Sequence, residues 1–125
     1  MKEIFAKQAA LLISTLSKDG VVNLGYDNES VEWVDGFVER QRLREDENLA
    51  GGLTNIIGAY LGECIIHNYG GEWRSEADEG GETWGVFFDD GNAAFPFAKV
   101  HKQFLNGAED SIYSFYRTIP VVFGR

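Results

Sequence analysis

Residues Leu53 to Trp73, LTNIIGAYLGECIIHNYGGEW, form one apolar segment fenced by Gly51-Gly52 and Gly70-Gly71. At about 100° per residue, Leu53, Ile56, Ile57, Tyr60, Leu61 and Cys64 fall on one broad arc of a helix. Gly58 and Gly62 fall elsewhere, with Asn55 and Ala59 beside them. Four small residues on one side let another backbone approach closely. Glycine inside a helix costs up to about 1 kcal/mol relative to alanine, and close packing is the compensation expected here. Ile65, Ile66 and Tyr69 add apolar surface outside the arc, so the spacing predicts a central helix buried on most sides. With Glu63 and His67 inside it, the Gly58-x-x-x-Gly62 spacing reads as packing in a folded domain, not as a membrane dimer motif.

The same segment holds the only cysteine and one of the two histidines, which makes Glu63, Cys64 and His67 the first place to look for chemistry. Glu63 and His67 are four residues apart and share a helix face. A carboxylate beside an imidazole orients a general base or supplies two metal ligands, which makes this pair the candidate catalytic group. The structural alternative is that Glu63, at the flank of the core, satisfies a backbone donor or pairs with Arg or Lys while His67 bonds within the fold. Cys64 lies inside the apolar arc and behaves as a small core residue; the acidic neighbour is the opposite of what a reactive thiol needs.

Around that helix the pattern is one of a single α+β domain over residues 1–125. Ile4, Phe5, Ala9, Leu12 and Leu16 recur at helical spacing in a first helix, which Lys18-Asp19-Gly20 ends. After the connection VVNLGY, Asp27, Asn28 and Ser30 are cap candidates for a second helix with Val31, Val34 and Val38 inward. Trp33 and Phe37 form a neighbouring stripe, and the charged run Arg40 to Glu47 reads as a solvated helix end plus loop. Beyond Gly70-Gly71 the pattern turns extended. Strands are expected at Glu72–Arg74, Thr83–Phe88 and Asn92–Phe95, joined by Asp78-Glu79-Gly80-Gly81 and by a turn at Asp90-Gly91. Pro96 limits the third strand. Lys99 to Leu105 follows as a short helix with Val100, Phe104 and Leu105 inward. A last helix starts from Ser111 or Asp110, presents Ile112, Phe115, Tyr116 and Ile119, and is discouraged by Pro120. The end, VVFGR, is apolar enough to dock. The expected order is N-terminal helices, a three-stranded antiparallel meander, then two helices packed on the sheet.

Composition narrows the function classes. The 125 residues carry a formal charge of −9, and nucleic-acid binding needs clustered Lys and Arg, so nucleic acid is not the expected ligand. The small group Lys99, His101 and Lys102 does not outweigh that charge. No apolar run approaches the roughly 20 residues of a membrane span, and the start, MKEIFAKQAALLISTLSKDG, is too interrupted for a signal peptide. A single cysteine makes no internal disulfide, so a cytoplasmic protein is expected. There is no CxxC or HExxH for a metal, no P-loop lysine after Gly51-Gly52 and no GxSxG elbow, so neither cofactor nor metal is expected.

Several strings carry a resemblance: LGE in the central helix, GGEW after it, then NAAFPFAKVHKQFLNG and EDSIYSFY. In this order the chain resembles a family of small uncharacterised bacterial proteins from Trp33 to Tyr116. The resemblance implies a bacterial cytoplasmic domain and supplies no catalytic residue.

The acidic residues Glu76, Asp78, Glu79, Glu82, Asp89 and Asp90 gather on the expected hairpin. They lack the alternation of an EF-hand loop, and charged hairpin edges also block unwanted strand pairing. The leading expectation is a non-enzymatic, acidic protein-binding domain whose hairpin carboxylates contact a basic protein partner, for instance an immunity or antitoxin-like factor. A small enzyme using Glu63 and His67, with Asp90 or an aromatic cleft, is the alternative. A housekeeping interaction domain, dimeric through an aromatic patch, is the third.

Overall fold

A computed structural model describes residues 1–20, 22–44 and 47–122, with the side chains of residues 47–50 and 78 outside that description. Helix α1 (Lys2–Ser17) is followed by α2 (Asn28–Arg42) and α3 (Glu47–Tyr69). Strands β1 (Glu72–Asp78), β2 (Gly81–Phe87) and β3 (Ala93–Ala94) come next, then α4 (Pro96–Asn106), a 3-10 turn (Gly107–Asp110) and α5 (Ile112–Val122). The strands form one antiparallel sheet in the order β1-β2-β3. The molecule is therefore α+β, with helices before and after the sheet. No helix among the described residues is long and apolar enough to cross a membrane.

Helix α3 is the hub, touching α1, α2, α4, α5 and β2. Ile57, Ala59, Tyr60, Leu61, Cys64 and Ile65 are fully buried along it. The helix does not begin after Gly51-Gly52 as expected but runs through both. Each is exposed, with nothing near the place a side chain would take, so nothing opposes continuation. Extending an established helix adds one hydrogen bond per residue, which offsets the glycine penalty. At the other end the boundary holds. Gly70 and Gly71 take φ of 85° and 90°, which reverses the chain into β1.

The small-residue side of α3 receives aromatic rings where a backbone was expected. A Cβ on Gly58 would stand 2.3 Å from the Phe97 ring, and one on Gly62 would stand 2.2 Å from the Trp73 indole. Phe5 closes the group, its ring centroid 4.5 Å from Trp73 and 5.2 Å from Phe97. The indole Nε1 of Trp73 donates to Glu63 Oε2 at 2.8 Å, which satisfies the one polar atom of a nearly buried side chain.

Helix α2 is capped as its sequence suggests. Asp27 Oδ1 accepts from Ser30 N at 2.8 Å, and the Ser30 bonds hold the Asp27 carboxyl below the usual carboxylate range. Ser30 Oγ accepts from Gly25 N at 2.9 Å, and the Tyr60 hydroxyl donates to Gly25 O at 2.7 Å, pinning the preceding loop to α3. Val31, Val34 and Val38 are fully buried, and Trp33 stacks on Phe37 at 6.1 Å. On α1 the stripe Phe5, Ala9 and Leu12 is buried, whereas Ile4 is 49% exposed. One residue before Phe5 is about 100° round the helix, off the stripe that meets α3.

Helix α4 departs from the expected face. Leu105 is 64% exposed, and fully buried Gln103 takes the inward position. The reason is a polar network that joins α2 to the C-terminal helices. Gln103 Nε2 donates to Asp35 Oδ1 at 3.1 Å and Glu39 Oε2 at 3.0 Å, while its Oε1 accepts from Ile112 N at 2.9 Å. Asp35 Oδ2 also accepts from Tyr113 N at 2.9 Å and from the Ser111 hydroxyl. Ser111 Oγ in turn accepts from Ser114 N at 3.1 Å, capping α5. Pro120 lies inside α5 rather than ending it; it forgoes one bond to the Tyr116 carbonyl, two residues before the helix stops. Val121 and Val122 are exposed, 81% and 65%, instead of docked. Phe123 to Arg125, like Val21 of the connection and Glu45 and Asp46 of the charged run, lie outside the described residues. The third strand is shorter than expected, Ala93–Ala94 alone, because α4 starts at Pro96 with Phe95 as its cap.

Gln103→Leu should lower the urea stability by about 2–3 kcal/mol, since it orphans the buried Ile112 amide and takes one donor each from Asp35 and Glu39. Leu105→Gln should stay within about 0.5 kcal/mol of the parent. Equal effects of the two would show that the buried amide does not organise this end.

Candidate functional site

The six hairpin acids do not form one patch. Ala77 stands opposite Glu82 and Glu76 opposite Thr83, so Glu82 shares the Trp73, Trp84 and Val86 face of the sheet while Glu76 points to the other. Asp89 and Asp90 follow the far end of β2, about 20 Å from Glu82 at the usual rise per strand residue. There Asp90 Oδ1 accepts from Asn92 N at 3.0 Å and organises the turn into β3. The side chain of Asp78 lies outside the described residues. The ion pairs among the described residues engage Met1, Lys2, Arg42 and Arg74 and leave Glu76, Glu79 and Glu82 unpaired and exposed. Arg74 lies on Glu72 at 2.6 Å, and that guanidinium holds the Glu72 carboxyl below its ordinary range.

Glu82 has different company from the other acids. It lines an open cleft of about 410 Å³ together with Phe5, Trp84, Phe95 and Phe97. Phe5 meets Trp84 edge-on at 5.5 Å. Gln8, Asn55 and Thr83 add polar groups to the walls, so the cleft is an aromatic floor with few polar markers. Its residues come from α1, α3, β2 and α4. The cleft exists because Gly58 and Gly62 draw Phe97 and Trp73 onto α3, and Phe5 and Trp84 pack around them. The sequence signal for it was the abundance of aromatics, three Trp, five Tyr and nine Phe, with nothing local to say which would meet.

Glu63 and His67 line neither this cleft nor a second, polar hollow of about 570 Å³ bounded by Asp27, Asn28, Glu29, Asn68 and Tyr69. The Glu63 carboxylate is engaged by the Trp73 indole. His67 is exposed and lies flat on Tyr26, centroids 4.0 Å apart and planes 9° from parallel, so it stacks rather than bonding inside the fold as its flank position suggested. Burial, with smaller contributions from Glu63 and Cys64, pushes the Tyr26 phenol above its ordinary value. Asn68, one residue on from His67, ties α3 to the loop and to α5. Its Nδ2 donates to Tyr26 O at 2.5 Å, Cys64 O at 3.0 Å and the Tyr116 hydroxyl at 2.9 Å.

His101 is exposed on α4, and Lys99 is spent on the Phe115 ring, 5.0 Å from its centroid. Among the described residues no group of three or more His, Cys, Asp or Glu side chains is placed to hold a metal ion.

Cys64 is a core thiol. Burial pushes its pKa up to about 12, against a smaller opposing effect of the Tyr60 hydroxyl bond. Burial likewise raises the phenols of Tyr60 and Tyr116. All three are neutral in the fold and ionise more readily when the chain unfolds. Their stabilising effect is complete below the unfolded thiol pKa near 9 and is lost as pH climbs from about 9 towards 12, because the unfolded chain then binds fewer protons. The urea midpoint should fall between pH 8.5 and pH 10.5, roughly, with a shallower slope for Cys64→Ala. A midpoint that is flat, or that rises, over this range would contradict the buried neutral thiol.

Comparison with known protein families, with characterised proteins and with solved structures finds no match to this chain.

Proposed function

We propose that this chain is an acidic protein-binding domain whose aromatic cleft and adjoining hairpin end receive a basic protein partner. An immunity or antitoxin-like role, in which the domain covers the basic surface of a toxin or nuclease, is the concrete form of this reading. The observation that carries it is the floor of Phe5, Trp84 and Phe97 beside the unpaired Glu82, with Phe95 lining the cleft from the other face of β2, against Gly85 and Phe87. Aromatic side chains gathered at a surface are the usual anchors of protein interfaces, because they bury much area and lose little rotamer entropy. Carboxylates at the rim set the sign of the partner. With a formal charge of −9 behind them, they raise the encounter rate with a cation and reject an anion. A cytoplasmic setting goes with this reading, since a lone buried cysteine needs no oxidising environment.

A blocked basic heptapeptide, Lys-Val-Lys-Phe-Lys-Val-Lys, offers a minimal probe, with Glu in place of Lys as its control. Calorimetry should detect binding of the basic peptide alone, weakening about tenfold as salt rises from about 20 to about 300 mM. Trp84→Ala should weaken it by a further factor of about ten. Equal binding of both peptides, or indifference to Trp84→Ala, would overturn the proposal.

A further inference from the structure

We infer that the partner enters this cleft as an extended strand that adds to the open edge of β2. The inference rests on the reading of the cleft as a protein-binding site and specifies how the partner is held. β2 has seven residues, and β3 pairs with only two of them, Val86 with Ala94 and Phe87 with Ala93. Gly81 to Gly85 therefore have β1 on one side and no strand on the other among the described residues.

The direction of the free groups follows from the ladder. Phe88 N donates to Asn92 O at 2.9 Å, so Phe88 turns its amide towards the β3 side. In a strand, amide directions alternate, so Val86, Trp84 and Glu82 face the same way. Val86 finds Ala94. Trp84 and Glu82 look into the lane that the chain vacates when Pro96 opens α4, and proline offers no amide to continue a ladder. That lane is where the cleft lies: Glu82, Thr83 and Trp84 form one wall, and Phe97 and Ala98 of α4 another.

An edge with free amides and carbonyls is a template for another strand. What it accepts is decided by charge. A second copy of this edge would bring its own Glu82, and a chain of the same formal charge of −9, against the first, a like-charge pairing that costs stability. A basic strand meets no such repulsion and complements Glu82, with the net charge of −9 behind it. Because side chains alternate along a strand, every second residue of the incoming segment faces Phe5, Trp84 and Phe97, and the others face the Phe95 side of the sheet and the rim. The occupant is thus an extended segment of a partner protein with apolar and basic residues in alternation.

Backbone N-methylation separates this mode from simple side-chain binding. The basic heptapeptide is made in two further forms, one methylated on its apolar residues' amides and one on the interior lysine amides. In an added strand only one set of amides faces β2, so one form should lose at least about tenfold in affinity while the other stays close to the parent. Exchange of the Glu82 and Trp84 amides should slow by a similar factor on binding the parent peptide, with Thr83, already turned to β1, unchanged. Equal affinities of the two methylated forms, whether kept or lost, would overturn strand addition. If the parent peptide binds regardless, the cleft remains a protein-binding site; if it does not bind, both readings fall. Concentration-dependent dimerisation without peptide, with protection of the same two amides, would assign the edge to a second copy and also overturn the inference.

Discussion

Two absent side chains organise this molecule. Gly58 and Gly62 lie one turn apart on the central helix, and the Phe97 and Trp73 rings occupy the places where their Cβ atoms would be. Each ring approaches closer than any side-chain-bearing position allows. The α3 surface thereby holds α4 through Phe97 and the start of the sheet through Trp73, and Phe5 brings α1 onto both. Three separate segments converge on one helix turn. A glycine in mid-helix costs up to about 1 kcal/mol in propensity, and a buried aromatic ring contributes more than that.

The cleft is a consequence of that convergence. With Phe5, Trp73 and Phe97 locked together, Trp84 covers one side of the cluster and leaves an aromatic floor open beside β2. The sheet adds the second ingredient. Because Pro96 starts α4 so soon after β3, the outer edge of β2 stays uncovered next to that floor. Carboxylates at the hairpin end keep such an edge from pairing with its own kind, a standard protection for exposed strands. Under the proposed strand addition, the same charges would favour a cation-bearing strand. Edge protection and partner choice are, on this account, one device.

Much of the scaffold was legible from local chemistry. The Asp27 cap, the Val31, Val34 and Val38 stripe, the core position of Cys64 and the Gly70-Gly71 reversal all follow from spacing and residue type, and all are present. What escaped depends on contacts between distant segments. Gly51-Gly52 read as a boundary because glycine punctuates helices on average, yet an anchored helix runs through them. Leu105 read as inward because it is apolar, but Asp35, 68 residues before Gln103, and Ile112 make Gln103 the better core residue. Gly58 and Gly62 announced a close approach, but of a backbone, where the Phe97 and Trp73 rings arrive instead. The site was harder still. Glu63 and His67 stood out by type, but the indole of Trp73 and the ring of Tyr26 engage them, and the cleft is assembled from aromatics that no motif links.

The most direct test of the central claim is one substitution made at two places on α3. Gly52 and Gly62 both sit in helical backbone; the first has open space where a Cβ would go, the second has the Trp73 indole. Gly52→Ala should raise the free energy of urea unfolding by up to about 1 kcal/mol, through helix propensity alone. Gly62→Ala should lower it by about 2 kcal/mol or more, by forcing the indole from its seat. Opposite signs are the expected result. If Gly62→Ala stabilises the protein as Gly52→Ala does, the aromatic seat on α3 is not what holds the molecule and its cleft together.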